Sequence, residues 1–248
     1  MTADAATAAP ASPRARAKPE LIYRHALVVR LTHWINAASI FALVGSGLNI
    51  LNAHPALYWG LQGNDYADPL ARLPAWPAWI TIPSYRDLAS ARHWHFMFAW
   101  ILVASGLVYL AWSLVSRHGW RDLRPTLADL RAIPRSILDH ARLRHPHGEG
   151  AKRYNVLQKF AYLGVIALIA GMAATGLTLS PGVDAAAPWL LDLFGGRQSA
   201  RTLHFVFASL IVLFVVVHLV EVVLAGPLNE VRSMITGRYA VPPERDAG

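Results

Sequence analysis

The sequence predicts an all-α integral membrane protein, a bundle of four transmembrane helices with both termini in the cytoplasm. Of its 248 residues, 54% are hydrophobic and only 15% are charged, a composition that is rare in a soluble domain of this length. Four apolar segments approach the ~20 residues that cross a bilayer core. Arginine and lysine are distributed unevenly among the segments that connect them, and this bias predicts the orientation.

The chain contains no cysteine, which excludes disulfides, thiolate metal sites and cysteine-bound iron–sulfur clusters. A metal would therefore need histidine, methionine or carboxylate ligands. The net charge of +8 comes from basic residues that lie between the apolar runs, a distribution typical of membrane topology. We therefore expect membrane lipid around the protein and no nucleic acid partner.

The predicted elements follow one another simply along the chain. Residues 1–21 are rich in Ala, Pro and Arg and lack the apolar stretch of a cleavable signal peptide, so we expect a disordered tail. A membrane domain over residues 22–240 and a C-terminal tail over residues 241–248 follow. The predicted spans cover residues 31–51, 94–115, 160–180 and 203–225.

The connecting segments predict the orientation and the surface elements. Both ends of the chain are basic, and the 117–153 loop alone has nine arginines and lysines, which places all three in the cytoplasm. Within it, residues 120–145 have apolar residues at helical spacing, which predicts helices on the anionic inner leaflet. The opposite loop, residues 52–92, is rich in Trp, Tyr and Pro; it predicts an interfacial aromatic belt or a docking surface for a periplasmic partner.

Four of the eleven histidines lie within or at the edge of the spans: His33, His95, His204 and His218. Polar rings at such positions are costly and are usually functional. His204 and His218 are 14 residues apart on the fourth span, so they leave one helix face within about 40° of each other and roughly 21 Å apart along the axis. Two rings on one face at two depths could bind two separate cofactors.

The alternating direction of the spans pairs these histidines by depth. His33 begins a span that runs outward, so it lies level with His218 near the cytoplasm. His95 begins a span that runs inward, so it lies level with His204 near the periplasm.

An arginine precedes three of the four histidines by three residues, about one helical turn nearer the interface. A haem bound by the histidine would direct its propionates there, where an arginine can pair with them. Two imidazoles leave no open position on the iron, which suits electron transfer. The arginines are Arg30, Arg92 and Arg201.

Other interpretations stay open. Any single histidine of this kind can form an interhelical hydrogen bond or lie at the interface. Zinc is less favoured, because no Cys, Asp or Glu lies near either pair to complete four ligands. His93 is an alternative ligand to His95, although it points about 200° away. Glu221 is either exposed at the interface or a proton acceptor for a quinol. No catalytic residue is predicted.

The sequence resembles the bacterial di-haem cytochrome b membrane subunits, the family of the formate dehydrogenase gamma subunit and of the cytochrome b subunits of Ni,Fe-hydrogenase and thiosulfate reductase. The resemblance covers about residues 22–240. It is carried by four segments: VVRLTHWINAASIFALVGSGLNI, ARHWHFMFAWILVASGLVYL, RYNVLQKFAYLGVIALIAG and RTLHFVFASLIVLFVVVHLVEV.

The resemblance implies two b haems, held by His33 with His218 on the inner side and by His95 with His204 on the outer side. It implies a multi-pass protein of the bacterial inner membrane that passes electrons between the quinone pool and a redox partner, with a periplasmic molybdopterin-type oxidoreductase preferred. The chain would then be an electron-transfer subunit rather than a stand-alone catalyst. Some family members have a fifth span, which is not predicted here.

Two alternative functions remain. A close variant is a self-contained haem quinone oxidoreductase that acts on a small species such as superoxide. The other, from a different class, is a membrane transporter or scaffold without redox chemistry, whose histidines would relay protons. A colourless purified protein would favour this last interpretation.

Overall fold

A computed structural model of the chain describes residues 20–61, 68–117, 119, 123–142 and 156–241. The two predicted tails lie outside these residues except for positions 20, 21 and 241, as do parts of the two long loops. The helices are α1 (Leu27–Ala53), α2 (Leu88–Val115), α3 (Leu127–Ala141), α4 (Val156–Thr178), α5 (Pro181–Ala186), α6 (Pro188–Leu193), α7 (Arg197–Ala225) and α8 (Pro227–Thr236). The strands are β1 (Leu21–Tyr23), β2 (Ala56–Leu57), β3 (Ala71–Arg72) and β4 (Arg238–Ala240), and a 3₁₀ turn covers Ala78–Ile80.

The four helices α1, α2, α4 and α7 are long and apolar enough to cross a membrane, so the predicted all-α membrane fold is confirmed. α1, α2 and α7 each begin four to six residues before their predicted spans. The difference has a physical reason: intrahelical hydrogen bonds continue past the apolar segment into the interfacial region. For α2 the start is set by Asp87, whose carboxylate accepts the N–H groups of Ala89 and Ser90 at 3.1 and 3.3 Å.

The closest helix contacts are those of α1 with α2 and of α4 with α7. Small side chains occupy these contacts, as expected where helices approach closely in a membrane. On α1 the buried residues are Thr32, Ser39, Ala42, Gly45, Ser46 and Asn49. Large apolar side chains such as Phe41 and Val115 lie instead on the outer surface, because the surrounding lipid is itself apolar.

The two ends of the membrane domain meet on one side of the bundle. Strand β1 pairs with β4 in an antiparallel register that places Leu21 opposite Ala240. Nearby, Arg30 donates a hydrogen bond to the carbonyl of Ile235, and the indole N–H of Trp34 donates to the carbonyl of Met234 at 3.1 Å. The start of α1 is therefore joined to the end of α8.

At the opposite end of the bundle, the segment after α1 packs against the start of α7. The carbonyl of Gly60 accepts the N–H of Gln198 at 3.0 Å. In return, the Gly60 N–H donates to Ser199 Oγ at 2.7 Å, and Thr202 Oγ1 donates to the carbonyl of Tyr58 at 2.6 Å. Gly196 is needed here, because a Cβ at this position would lie 2.6 Å from the Gly60 carbonyl oxygen. Both ends of the bundle are thus tied by hydrogen bonds.

Helix α3 is the helix predicted within the 120–145 loop. It begins with a reciprocal cap, in which Thr126 N–H donates to the Asp129 carboxylate at 2.8 Å and the Asp129 N–H donates back to Thr126 Oγ1 at 3.2 Å. Lys159 Nζ of α4 lies 2.9 Å from the same carboxylate. The hydrogen bond from Lys159, followed by that from Thr126, lowers the pKa of Asp129 from its ordinary 3.8 to about 2.

We predict that the contact of α3 with α4 weakens in acid. A carboxyl group whose pKa is lower in the folded state stabilises the fold fully above the unfolded pKa of 3.8, and this stabilisation disappears as the pH falls towards 2. An NMR titration of ¹³C-labelled aspartate should give a midpoint near 2 for Asp129. In Lys159→Ala the midpoint should rise towards 3.8, whereas Lys159→Arg should keep it low. An unchanged midpoint in Lys159→Ala would contradict the assignment of this ion pair.

We also predict that Gly171→Ala destabilises the bundle. A Cβ at Gly171 would lie 2.9 Å from Phe207 Cε2 of α7, and overpacking of this kind costs about 1–3 kcal/mol. Thermal unfolding in detergent should therefore occur at a lower temperature. Gly164→Ala is the matched control, since no atom lies within 4 Å of a Cβ at that position of the same helix. Equal stability of the two variants would argue against the close approach of α4 and α7.

Candidate functional site

Two pairs of histidine rings face each other inside the bundle. The ring centres of His33 and His218 are 6.3 Å apart, and those of His95 and His204 are 6.1 Å apart. The rings come from α1, α2 and α7, and α7 contributes one to each pair. Because His204 and His218 are 14 residues apart on α7, the pairs are separated by roughly 21 Å along the helix. The structure therefore contains two candidate sites at two depths.

The spacing within each pair fits one metal atom between two imidazoles. A metal–nitrogen bond to histidine is about 2 Å long, and the nitrogen lies about 1 Å from its ring centre, so two opposed ligands have centres about 6 Å apart. Among the described residues, no group of three or more His, Cys, Asp or Glu side chains could hold a metal ion. A donor set of two imidazoles suits iron in a macrocycle, which supplies its remaining ligands, better than tetrahedral zinc.

The pair of His95 with His204, which we call the outer pair after its predicted position, also has two hydroxyl partners. His95 Nδ1 lies 3.0 Å from Ser46 Oγ of α1, and His204 Nδ1 lies 3.0 Å from Thr175 Oγ1 of α4. The glycine after each hydroxyl residue leaves room for the ring: a Cβ at Gly176 would lie 3.3 Å from His204 Cε1. Neither Ser46 nor Thr175 is predicted from the sequence.

A sequence signal for these two residues does exist. Residues 46–48 and 175–177 read Ser-Gly-Leu and Thr-Gly-Leu, at corresponding places in the two helix pairs. The pattern is too short to be informative without the contacts.

The inner pair, His33 with His218, has different surroundings. The ring of His218 stacks on Phe214 with centres 5.9 Å apart, and the ring of His33 meets Trp34 edge to face at 5.1 Å. Among the described residues, buried His33 Nδ1 has no hydrogen-bond partner, and the same is true of Asn36 Oδ1 one turn away. Aromatic contacts therefore replace the hydroxyl partners of the outer pair.

The three predicted arginines each have a defined neighbour near a helix end. Arg30 donates to the carbonyl of Ile235, as described above, and Arg201 donates to the carbonyl of His54. The Arg92 guanidinium lies 5.8 Å from the centre of the Phe96 ring. The Nε atom of Arg30 is buried without a hydrogen-bond partner. Their pairing with propionates stays a prediction.

The remaining candidates do not join the pairs. His93 is exposed on α2, and Glu221 is half-buried on α7. The role of the four paired histidines as haem ligands also stays a prediction, because their geometry alone does not identify the bound group.

The chain is similar to known membrane cytochromes. A family model described as prokaryotic cytochrome b561 matches residues 24–237, a range that contains all four paired histidines. A putative protein-methionine-sulfoxide reductase subunit, YedZ1, of Azospira oryzae is 33% identical over 205 residues, which are 83% of this chain and 92% of that protein. A probable Ni/Fe-hydrogenase B-type cytochrome subunit of Cupriavidus necator is 24% identical over 229 residues, which are 87% of this chain and 85% of that protein.

Proposed function

Because the chain belongs to the prokaryotic cytochrome b561 family, we propose that it is a di-haem cytochrome that carries electrons between the two sides of the bacterial inner membrane. The family accounts for haem b as the cofactor, for transmembrane electron transfer and for the inner-membrane location. The four apolar helices agree with that location. Beyond what the family shows, we propose the number of haems, their ligands and the partners with which they exchange electrons.

In this proposal His33 and His218 hold the inner haem, and His95 and His204 hold the outer haem. The observation that supports it best is the presence of two facing imidazole pairs, 6.3 and 6.1 Å between ring centres, at two depths of one bundle. Haem, when bound, supplies the reversible uptake of one electron. Two imidazoles would leave no open position on the iron, which suits electron transfer and not oxygen binding.

The remaining residues of the 22–240 domain orient and shield these sites. The apolar helix surfaces exclude water, and a low local dielectric strengthens every charge interaction inside. Arg30, Arg92 and Arg201 lie near the helix ends, where a guanidinium group can form charge-assisted hydrogen bonds with a carboxylate. In Arg30 and Arg201 such bonds would replace the present bonds to backbone carbonyls.

We place both termini of the chain in the cytoplasm. The nine basic residues of the 117–153 loop and the basic tails support this orientation. The pairing of β1 with β4 requires the two ends of the domain to lie on the same side. His33 and His218 are then near the cytoplasm, and His95 and His204 are near the periplasm.

We propose the quinone pool and a periplasmic molybdopterin-type oxidoreductase as the redox partners. Both relatives are named as subunits, one of a putative protein-methionine-sulfoxide reductase and one a probable B-type cytochrome subunit of a Ni/Fe-hydrogenase, which supports the existence of a redox partner protein. A chain that accepts and delivers electrons in this way is a subunit of an oxidoreductase rather than an independent catalyst. Quinone diffuses in the surrounding lipid and reaches the bundle from there.

We predict that the purified protein contains two haems and that each histidine pair holds one of them. Removal of one axial ligand should empty that site, so His95→Ala and His204→Ala should lose the same haem, and His33→Ala and His218→Ala the other. Haem quantification together with reduced-minus-oxidised spectra and redox titration measures this outcome.

His93→Ala is the control, since His93 is exposed two residues from His95 on the same helix; it should keep both haems. A colourless wild-type protein would contradict the whole proposal. Loss of the same haem in His33→Ala and His95→Ala would contradict the pairing.

We predict that the labelling of introduced cysteines will show both termini in the cytoplasm. The experiment is possible because the chain has no cysteine of its own. Trp79, in the segment before α2, is 82% exposed, and Arg131 is exposed on α3. In intact spheroplasts a membrane-impermeant maleimide should label Trp79→Cys and not Arg131→Cys. Labelling of both should follow lysis. The reverse pattern in intact spheroplasts would place the termini outside.

A further inference from the structure

We propose that Ser46 and Thr175 are positioning residues for the outer haem: each hydroxyl oxygen accepts the Nδ1–H of the neighbouring ligand, His95 or His204. This inference rests on the proposed function, because it assigns a role towards the haem that these histidines would hold. It begins from the contacts of 3.0 Å between each hydroxyl oxygen and the adjacent Nδ1 atom.

The direction of these hydrogen bonds follows from counting protons. Ser46 Oγ lies 2.7 Å from the carbonyl of Ala42, and Thr175 Oγ1 lies 2.7 Å from the carbonyl of Gly171. A carbonyl can only accept, and a hydroxyl group has one proton to donate. That proton is used within the helix, so at these contacts the hydroxyl oxygen accepts from the imidazole, and a backbone carbonyl three residues earlier on the same helix is a second acceptor for each ring.

The protonation state of the two rings is thereby fixed. When Nδ1 carries the proton of a neutral imidazole, Nε2 has the free lone pair that a metal needs. An acceptor on the distal N–H also fixes the orientation of the ring and makes the ligand more basic. The two histidines proposed for the outer haem therefore have the same kind of hydrogen-bond partner, a hydroxyl group on α1 for one and on α4 for the other.

The same arrangement gives α4 a functional role. Helix α4 has no histidine, and it reaches the outer pair through Thr175 as α1 reaches it through Ser46. Gly47 and Gly176 lie next to the hydroxyl residues, where a Cβ would be 3.6 and 3.3 Å from the Cε1 atoms of His95 and His204. Each ligand is thus contacted by a hydroxyl residue on a helix that does not itself provide a ligand to this haem, and at Gly176 a side chain would also crowd the ring.

The inner pair provides an internal comparison. In the part of the chain that the structure describes, His33 Nδ1 has no hydrogen-bond partner, so the two sites differ in the basicity of at least this ligand. A more basic ligand stabilises ferric relative to ferrous iron, which lowers the reduction potential of the outer haem. Removal of either hydroxyl should therefore raise the potential of that haem and leave the inner one unchanged.

The experiment is a spectroelectrochemical titration of the haem-loaded protein in detergent, with the outer haem identified as the one lost in His95→Ala. Ser46→Ala and the nearly isosteric Thr175→Val should each shift the equilibrium towards reduced outer haem by up to about tenfold, which is about 59 mV for one electron. The low-spin ferric EPR signal of that haem should change as well, because the imidazole ring of its histidine ligand is no longer held in one orientation. Ser46→Thr and Thr175→Ser keep the acceptor and should behave as wild type.

Ser209→Ala is the matched control, since its exposed hydroxyl on α7 donates to the carbonyl of Phe205 within the same helix, at 2.9 Å; it should change neither potential. If a hydroxyl deletion prevents assembly, Ser46→Cys keeps the shape with a weaker acceptor and should shift the outer potential in the same direction.

Two results would overturn the inference while leaving the proposed function intact: unchanged outer potentials in every hydroxyl variant, or equal shifts of both haems. Failure of the proposed function looks different, because the wild-type protein would then contain no haem to titrate.

Discussion

A ring nitrogen of an imidazole inside a membrane is costly to leave without a partner, because hydrocarbon offers neither a donor nor an acceptor. The rest of this structure depends on how that requirement is met. In the outer pair, Nδ1 of each ring has a hydroxyl partner at 3.0 Å on a neighbouring helix, which leaves Nε2 for a metal. Small residues at the helix contacts allow the rings and their partners to meet, and the large apolar side chains face the lipid instead.

The histidine pairs also lie where the two halves of the bundle meet. The halves are the helix pairs α1–α2 and α4–α7, within which the closest helix contacts lie. Each histidine pair lies between the halves, because one ring comes from α1 or α2 and the other ring comes from α7. A flat group bound by both rings would therefore link the halves at two depths. Protein contacts close the two ends: β1 with β4 on one side, and Gly60 with the start of α7 on the other. In the proposed di-haem protein the cofactors would act together with these terminal contacts, so the loss of one haem should loosen the bundle at one depth.

The sequence predicted the four helices because their apolar length is visible in composition alone, and the pairing of His33 with His218 followed from alternating span directions. Other features could not be found in this way. Ser46 and Thr175 could not be predicted as partners of the histidines, because serine and threonine in helices commonly donate a hydrogen bond to their own backbone. Both residues do so here. Only the structure shows that a histidine nitrogen also lies 3.0 Å from each hydroxyl oxygen. The pairing of β1 with β4 could not be predicted either, because a strand of three residues is too short to show a periodic pattern in the sequence.

The difference between the two sites has a consequence for electrons that move between them. With the cytoplasmic side negative, an electron that moves inward works against about 2.3 kcal/mol per 100 mV for a full crossing. The two sites are about 21 Å apart along the helix, which is roughly two-thirds of the ~30 Å thickness of the bilayer core. If the two haems are otherwise equal, and Ser46 and Thr175 lower the outer potential by the equivalent of about tenfold, or about 59 mV, the difference offsets most of what a membrane potential of about 100 mV opposes over two-thirds of the crossing. Hydrogen bonds at one site would then keep electron exchange between the two haems close to equilibrium in an energised membrane.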